Sequence, residues 1–116
     1  MKLGNNRNTA HTALVRACVE YLRLRGVVCW QQNVGAIRRG THLYRVAPAG
    51  TPDVLGYLPP TGRGIAVECK TGSGKANKDQ VAWHERARAA GVLVLVVRDV
   101  RDLEQALEGA ERREVL

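Results

Sequence analysis

Aromatic residues are scarce in this sequence, which has two Trp, three Tyr and no Phe among 116 residues. A base-stacking surface for single-stranded nucleic acid is therefore not expected. The three cysteines, Cys18, Cys29 and Cys69, are too few and too widely spaced for a disulfide framework or a zinc site. Each lies in an apolar segment, so we predict three reduced core residues.

Long hydrophobic runs and targeting signals are also missing. No apolar run approaches the roughly 18 residues that span a bilayer, and the N-terminus lacks the apolar stretch of a secretory signal. These absences predict a cytoplasmic protein with no membrane partner. The sequence contains no Ser-His-Asp pattern. It also contains no Walker or dinucleotide-binding pattern, so no nucleotide cofactor is expected. The histidines, His11, His42 and His84, show no metal-binding spacing and are predicted to lie near the surface.

Positive charge is in excess, with 18 Lys and Arg against 11 Asp and Glu, a net charge of +7. Such a balance favours a polyanionic partner, since neutralising phosphates provides most non-specific affinity for nucleic acids. A basic surface without a specific partner is the alternative. With few aromatic residues, contacts to the nucleic-acid backbone are expected rather than contacts to bases.

Hydrophobic periodicity predicts an α/β fold, in which a mixed sheet is flanked by helices in the order α-β-β-β-α-β-α. We expect one domain over residues 1–116, with flexible tails at 1–8 and 109–116 and a loop at 35–40. The predicted elements are a helix from about Thr9 to Gly26, strands at 27–30, 53–58 and 64–70, a helix at 78–90, a strand at 92–97 and a helix ending at Leu107. A further short strand at 43–46 is left open. The helix between the last two strands implies a parallel crossover connection.

Two acidic residues and a lysine are predicted to converge on neighbouring strands. Alternation along 65–70 directs Glu68 and Lys70 to the face opposite the core, where a simple surface ion pair is the alternative. Asp53 begins the preceding strand, fifteen positions earlier, and a hairpin turning at 59–62 would bring it beside Glu68. Carboxylates in such a cluster are suitable ligands for Mg²⁺.

These residues carry a resemblance to a known nuclease motif. Pro52-Asp53 followed by Glu68-Cys69-Lys70 resembles the PD-(D/E)XK motif of restriction enzymes and recombination nucleases. With Gly50-Thr51 before it, and a Gly-rich loop and Gln80-Val81-Ala82-Trp83 after it, the pattern resembles the VRR-NUC (virus-type replication-repair nuclease) domain over residues 10–107. The resemblance implies a restriction-endonuclease-like core and hydrolysis of phosphodiester bonds in DNA.

The resemblance also implies individual roles. Asp53 and Glu68 would bind Mg²⁺ or Mn²⁺, with the backbone carbonyl of Cys69 as a further ligand, and Lys70 would act on the attacking water and the phosphate. Glu20, on the first helix, matches an acidic residue that the family places near the metal, although ion pairing with its helix neighbours Arg16 and Arg23 would also explain it. Gln80 matches a polar residue of the catalytic site; the alternative is a helix residue without a special role.

Stand-alone domains of this kind are viral or bacterial, which implies a bacterial or phage-infected cell. They are expected to act in DNA repair as homodimers on branched DNA such as Holliday junctions. The alternatives are a general or flap nuclease, an inactive DNA-binding module of the same fold, and a structure-bound RNase. Basic residues flanking the motif are candidates for contacts with the DNA backbone, or else are solvated loop charges: Arg38, Arg39, Arg45, Lys75 and Lys78.

Overall fold

The computed structural model describes residues 6–32, 36–45 and 47–115. Over these ranges the chain forms three helices and six strands in the order α-β-β-β-β-β-α-β-α. The elements are α1 (Asn6–Leu24), β1 (Val28–Gln31), β2 (Ala36–Arg39), β3 (His42–Arg45), β4 (Val54–Leu58), β5 (Arg63–Cys69), α2 (Lys78–Ala89), β6 (Leu93–Val97) and α3 (Val100–Val115).

The main sheet contains four strands in the spatial order β1-β4-β5-β6. The β1–β4 and β4–β5 pairs are antiparallel, whereas β5 and β6 are parallel and are connected through α2. A mixed sheet flanked by helices confirms the predicted fold class. The β4–β5 hairpin aligns Val54 with Val67, which brings the start of β4 beside the end of β5.

The core lies between one face of this sheet and the helices α1 and α3. Val15, Cys18 and Leu22 of α1 are buried at helical spacing. They belong to the same apolar cluster as Ile65, Val67 and Cys69 of β5, Val97 of β6 and Leu103 and Leu107 of α3. Full burial of one such aliphatic side chain stabilises a fold by about 1.5–3 kcal/mol. This apolar layer keeps β4 and β5 in register, and the register positions the polar residues at the strand ends.

Helix α2 covers the opposite face of the sheet. Its buried His84 meets Glu68, whose side chain points away from the core cluster. Asn77 caps α2 by accepting a hydrogen bond from the Gln80 N–H, and the Gln80 side chain accepts one from the Asn77 N–H. This reciprocal capping box gives α2 a defined start close to the end of β5.

Three segments differ from the sequence prediction. Residues 36–39, expected to lie in a loop, form β2 and pair with β3 in a separate two-stranded sheet. The chain from residue 109, expected to be a flexible tail, continues α3 to Val115, and α1 already begins at Asn6. The extension of α3 follows from the burial of Leu107 and Ala110 and from the ion pair between Arg25 and Glu111.

Cys18, Cys29 and Cys69 are free and buried, as predicted. The sulfur atoms of Cys18 and Cys69 lie 4.0 Å apart, where α1 packs against β5. None of the helices within the described ranges is both long and apolar enough to cross a membrane.

Candidate active site

Asp53 lies immediately before β4 and is buried. Its Oδ2 accepts a hydrogen bond of 2.8 Å from the backbone N–H of Cys69, so the carboxylate is fixed to the end of β5. Its own backbone carbonyl accepts a hydrogen bond of 2.7 Å from the N–H of Gln32, next to β1. Asp53 is thus held on one side through its carboxylate and on the other through its backbone carbonyl.

Glu68, in β5, is only 3% exposed. Burial, then the charge of Asp53 and hydrogen bonding to it, raises the pKa of Glu68 to about 8, and the nearby Lys70 partly opposes this rise. The two carboxyl groups therefore lie on the same side of the sheet and interact directly. This burial contradicts the alternative of a solvent-exposed surface pair between Glu68 and Lys70.

One oxygen of this carboxyl pair lacks a hydrogen-bond partner. Oε1 of Glu68 is buried and lies 3.5 Å from Nε2 of His84, which is itself buried without a hydrogen-bond partner among the described residues. Burial, together with the charges of Arg88 and Lys70, lowers the pKa of His84, so the imidazole is neutral at pH 7. An unpartnered buried carboxylate oxygen is costly unless a further group, such as a cation, satisfies it.

Lys70 follows β5 and is held by α2. Its Nζ donates a hydrogen bond of 2.8 Å to Oε1 of Gln80, the same oxygen that caps α2. The structure therefore brings Gln80 to Lys70. The spacing of the contacts explains the arrangement. Gln80 and His84 are one helical turn apart on α2, and they meet Lys70 and Glu68, which are two residues apart at the end of β5.

Two histidines were missed by the sequence analysis. His84 is buried rather than on the surface, and Nε2 of His11 lies 3.3 Å from Oδ1 of Asp53, with 38% of the His11 side chain exposed. The i, i+4 spacing of Gln80 and His84 could have indicated the second position. No local pattern indicates His11, because its partner lies 42 positions away.

Glu20 lies on an exposed part of α1, in a shallow groove with Arg16, Arg23 and Gln31. It is nine residues beyond His11, which places it about 13 Å along the helix axis and half a turn around it. The structure does not bring Glu20 to the carboxyl pair in the way that it brings His11 there. The role of Glu20 as a metal ligand, like that of the Cys69 carbonyl, stays a prediction.

The candidate DNA-binding residues lie in three places. Arg38 and Arg39 are exposed on β2, Lys75 is exposed in the loop after Lys70, and Lys78 is exposed at the start of α2. Arg45 ends β3, and its side chain lies outside the described part of the structure. Arg98 orders the glycine-rich loop that contains Lys75, because its guanidinium donates hydrogen bonds to the carbonyls of Gly72 and Gly74.

Gly50 allows the loop before Asp53 to pack against the first turn of α2. Its φ is +86°, and a Cβ there would lie 2.1 Å from the backbone oxygen of Asp79, well inside the contact limit. The close approach couples the segment that carries Asp53 to the helix that carries Gln80.

We expect Gly50→Ala to lower the free energy of unfolding by more than Gly62→Ala does, by about 1–3 kcal/mol. Gly62 is a matched control, since its φ of +80° is similar but nothing lies within 4 Å of an added Cβ. It should lose only about 1 kcal/mol, the ordinary strain of alanine at positive φ. Urea unfolding of both variants measures the difference, and equal losses would show that the packing of Gly50 on Asp79 is unimportant.

A divalent cation fits the acidic pair. In the described part of the chain, no group of three or more His, Cys, Asp and Glu side chains is arranged to hold a metal ion. Mg²⁺ commonly binds to one or two protein carboxylates and keeps several waters, so it does not need such a group. Asp53 and Glu68 would supply these carboxylates, and the unpartnered Oε1 of Glu68 would gain a partner. The thiol of Cys69 is unsuited as a nucleophile, because the contact with Cys18 and burial raise its pKa.

Of three comparisons with known proteins, one shows the fold of this chain. No family model matches the sequence, and a comparison with curated proteins found no match. A comparison with solved structures found a structure described as "VRR_NUC domain", with a TM-score of 0.62 and 23% sequence identity, over 85% of this chain and 95% of that one. The chain therefore has the fold of a VRR_NUC domain.

Proposed function

We propose that the protein is a metal-dependent endonuclease that hydrolyses phosphodiester bonds in DNA. The observation that carries the proposal is the buried Asp53–Glu68 carboxyl pair, in which Oε1 of Glu68 has no hydrogen-bond partner, beside a lysine held by Gln80. A buried acidic pair is unfavourable without a cation, and a functional site is the usual reason for such an arrangement. The VRR_NUC fold supports the same proposal.

The residues divide the chemistry between them. Asp53 and Glu68 would hold Mg²⁺ or Mn²⁺, with the Cys69 carbonyl as the further ligand. When bound, the cation supplies a lowered pKa for an attacking water and positive charge for the phosphate oxygens. Lys70 contributes a compact ammonium that faces the developing negative charge, and Gln80 fixes its position through the 2.8 Å hydrogen bond. The buried ring of His84 lies 3.5 Å from Oε1 of Glu68 and would keep water from that side of the carboxyl group.

The net charge of +7 supports a nucleic-acid substrate. Exposed Lys75 and Lys78 follow Lys70 along the chain, and exposed Arg38 and Arg39 lie on the β2–β3 hairpin. These residues would contact backbone phosphates and hold the duplex without reading its sequence. Arg45 is included in this proposal because it lies in the same hairpin.

We further propose that the substrate is branched DNA such as a Holliday junction, and that the active form is a homodimer. Resolving a four-way junction requires two opposed cuts, which two active sites related by a two-fold axis can make. The support for this part is the resemblance of the motif to the VRR-NUC domain.

Parallel digestion of four-way junctions, flaps, plain duplex, single-stranded DNA and RNA tests the proposal. The assay compares Mg²⁺, Mn²⁺ and EDTA, and uses wild-type protein with Asp53→Asn as the inactive control. We expect cation-dependent cutting of DNA by the wild type only, with paired symmetric nicks at the junction.

The other outcomes identify the alternatives. Equal cutting of flaps and duplex would indicate a general nuclease, and cutting of RNA alone would indicate an RNase. DNA binding without cleavage under any cation would show an inactive binding module and would refute the proposal.

A further inference from the structure

His11 is a basic, partly exposed side chain next to the acidic pair, and the proposed chemistry does not use it. Its Nε2 lies 3.3 Å from Oδ1 of Asp53, while Oδ2 of the same carboxylate is occupied by the Cys69 N–H. A neutral hydrogen bond usually has a nitrogen–oxygen distance of 2.7–3.2 Å, so this contact is long for one. It is an ion-pair distance, and it is also compatible with two ligands that share one ion.

The distance between two neighbouring ligands of one ion follows from octahedral geometry. Ligands about 2.1 Å from the ion and at right angles to each other are about 3.0 Å apart. Asp53 Oδ1 and His11 Nε2 therefore lie near the spacing that a shared cation requires. The 38% exposure of the His11 side chain leaves room for the ring to turn, whereas Asp53 is fixed by its hydrogen bond to β5.

We propose that His11 joins Asp53 as a nitrogen ligand of the divalent cation, and that it favours transition-metal ions over Mg²⁺. The inference rests on the proposed function for the existence of the metal site, but it assigns a ligand and a metal preference that the acidic pair alone would not have. Imidazole suits first-row transition metals, whereas an all-oxygen set suits Mg²⁺, and affinity for nitrogen-containing sites rises from Mn²⁺ to Co²⁺.

His11 also competes with Glu20 for the place of a third side-chain ligand. Both lie on α1, but the described contacts bring only His11 to the carboxyl pair, since Glu20 lies in the groove of Arg16 and Arg23. The two assignments predict opposite results for the corresponding variants, so one set of measurements decides between them.

The test measures the binding of Mg²⁺, Mn²⁺ and Co²⁺ without DNA, by calorimetry and by loss of the free Mn²⁺ signal in electron paramagnetic resonance. We expect His11→Ala to weaken Co²⁺ and Mn²⁺ binding by at least about tenfold and Mg²⁺ binding by less than about threefold. His11→Glu, which replaces the nitrogen by a carboxylate of similar reach, should restore Mg²⁺ binding but not the preference for Co²⁺. His42→Ala, at an exposed histidine on β3, should change nothing.

A spectroscopic readout on the wild-type protein covers the case in which a variant fails to fold. Substoichiometric Mn²⁺ should broaden the NMR signals of the His11 imidazole before those of His42. Unchanged Co²⁺ and Mn²⁺ affinities in His11→Ala, loss of affinity in Glu20→Gln instead, or an unaffected His11 signal would each overturn the inference.

The design separates the inference from the proposed function. Cation-dependent DNA cutting with the metal preference unchanged in His11→Ala would refute the role of His11 and leave the nuclease standing. Co²⁺ binding that depends on His11, without cleavage of any DNA, would refute the nuclease and leave the ligand assignment standing.

Discussion

Lys70→Ala should lower the rate of DNA cleavage by a factor of about 10²–10³ or more while DNA binding and cation binding persist. The ammonium is held by Gln80 beside Glu68, and its charge already influences that carboxyl group. A fixed positive charge aimed at the phosphate stabilises the transition state more than the bound substrate, so its removal lowers kcat rather than affinity. Single-turnover cleavage and a DNA-binding titration at the same salt concentration measure the two effects separately.

Lys75→Ala is the matched control, because it removes the same charge from the exposed loop that follows. It should weaken DNA binding modestly and lower its salt dependence, with little change in the cleavage rate at saturating DNA. A Lys70→Ala variant that cuts at the wild-type rate, or loses only DNA affinity, would show that Lys70 is a phosphate contact and not a catalytic residue.

Glu68→Gln should make the metal-free protein more stable at pH 9, by about 2–4 kcal/mol, although it removes a proposed metal ligand. The reason is the raised pKa of Glu68, about 8, which follows from its burial beside Asp53. The buried environment disfavours the ionised form of Glu68, whereas the amide of glutamine stays neutral at every pH. Replacing a functional residue often stabilises a protein, because a site arranged to bind a ligand is unfavourable when the ligand is absent.

The pH dependence of this effect has a defined sign. Between pH 4.5 and pH 8 the folded protein keeps Glu68 protonated, while the unfolded chain releases the proton. The contribution of Glu68 to the free energy of unfolding is therefore fully present below pH 4.5 and decreases by at most about 1.4 kcal/mol per pH unit as the pH rises to 8. Glu68→Gln removes this decrease, so the two proteins should diverge with rising pH.

Urea unfolding in EDTA at pH 5, 7 and 9 measures the divergence. Glu85→Gln, at an exposed position of α2, is the matched control and should show none. Saturating Mg²⁺ should stabilise the wild type at pH 8 and leave Glu68→Gln unaffected, since binding to the folded state alone adds stability. A difference between wild type and Glu68→Gln that is the same at all three pH values would contradict the raised pKa.

The local elements followed from the sequence where hydrophobic period and capping agreed. The range predicted for α2 was 78–90, and the observed helix is Lys78–Ala89, because Asn77 and Gln80 form a capping box that ends the preceding loop. The β4–β5 hairpin followed from alternation and from the turn at 59–62. The β2–β3 hairpin was only half predicted, since its first strand contains glycine and arginine neighbours that are typical of a loop.

The sequence alone determined that Asp53, Glu68 and Lys70 lie at the ends of adjacent strands, because alternation and hairpin length are local properties of the chain. Only the tertiary structure decided what surrounds them. Helix α2 buries Glu68 and brings His84 and Gln80 to the strand, and α1 brings His11 to Asp53 from 42 positions away. Those contacts depend on how helices pack on the two faces of the sheet, and that packing is set by the whole core rather than by any segment near the motif.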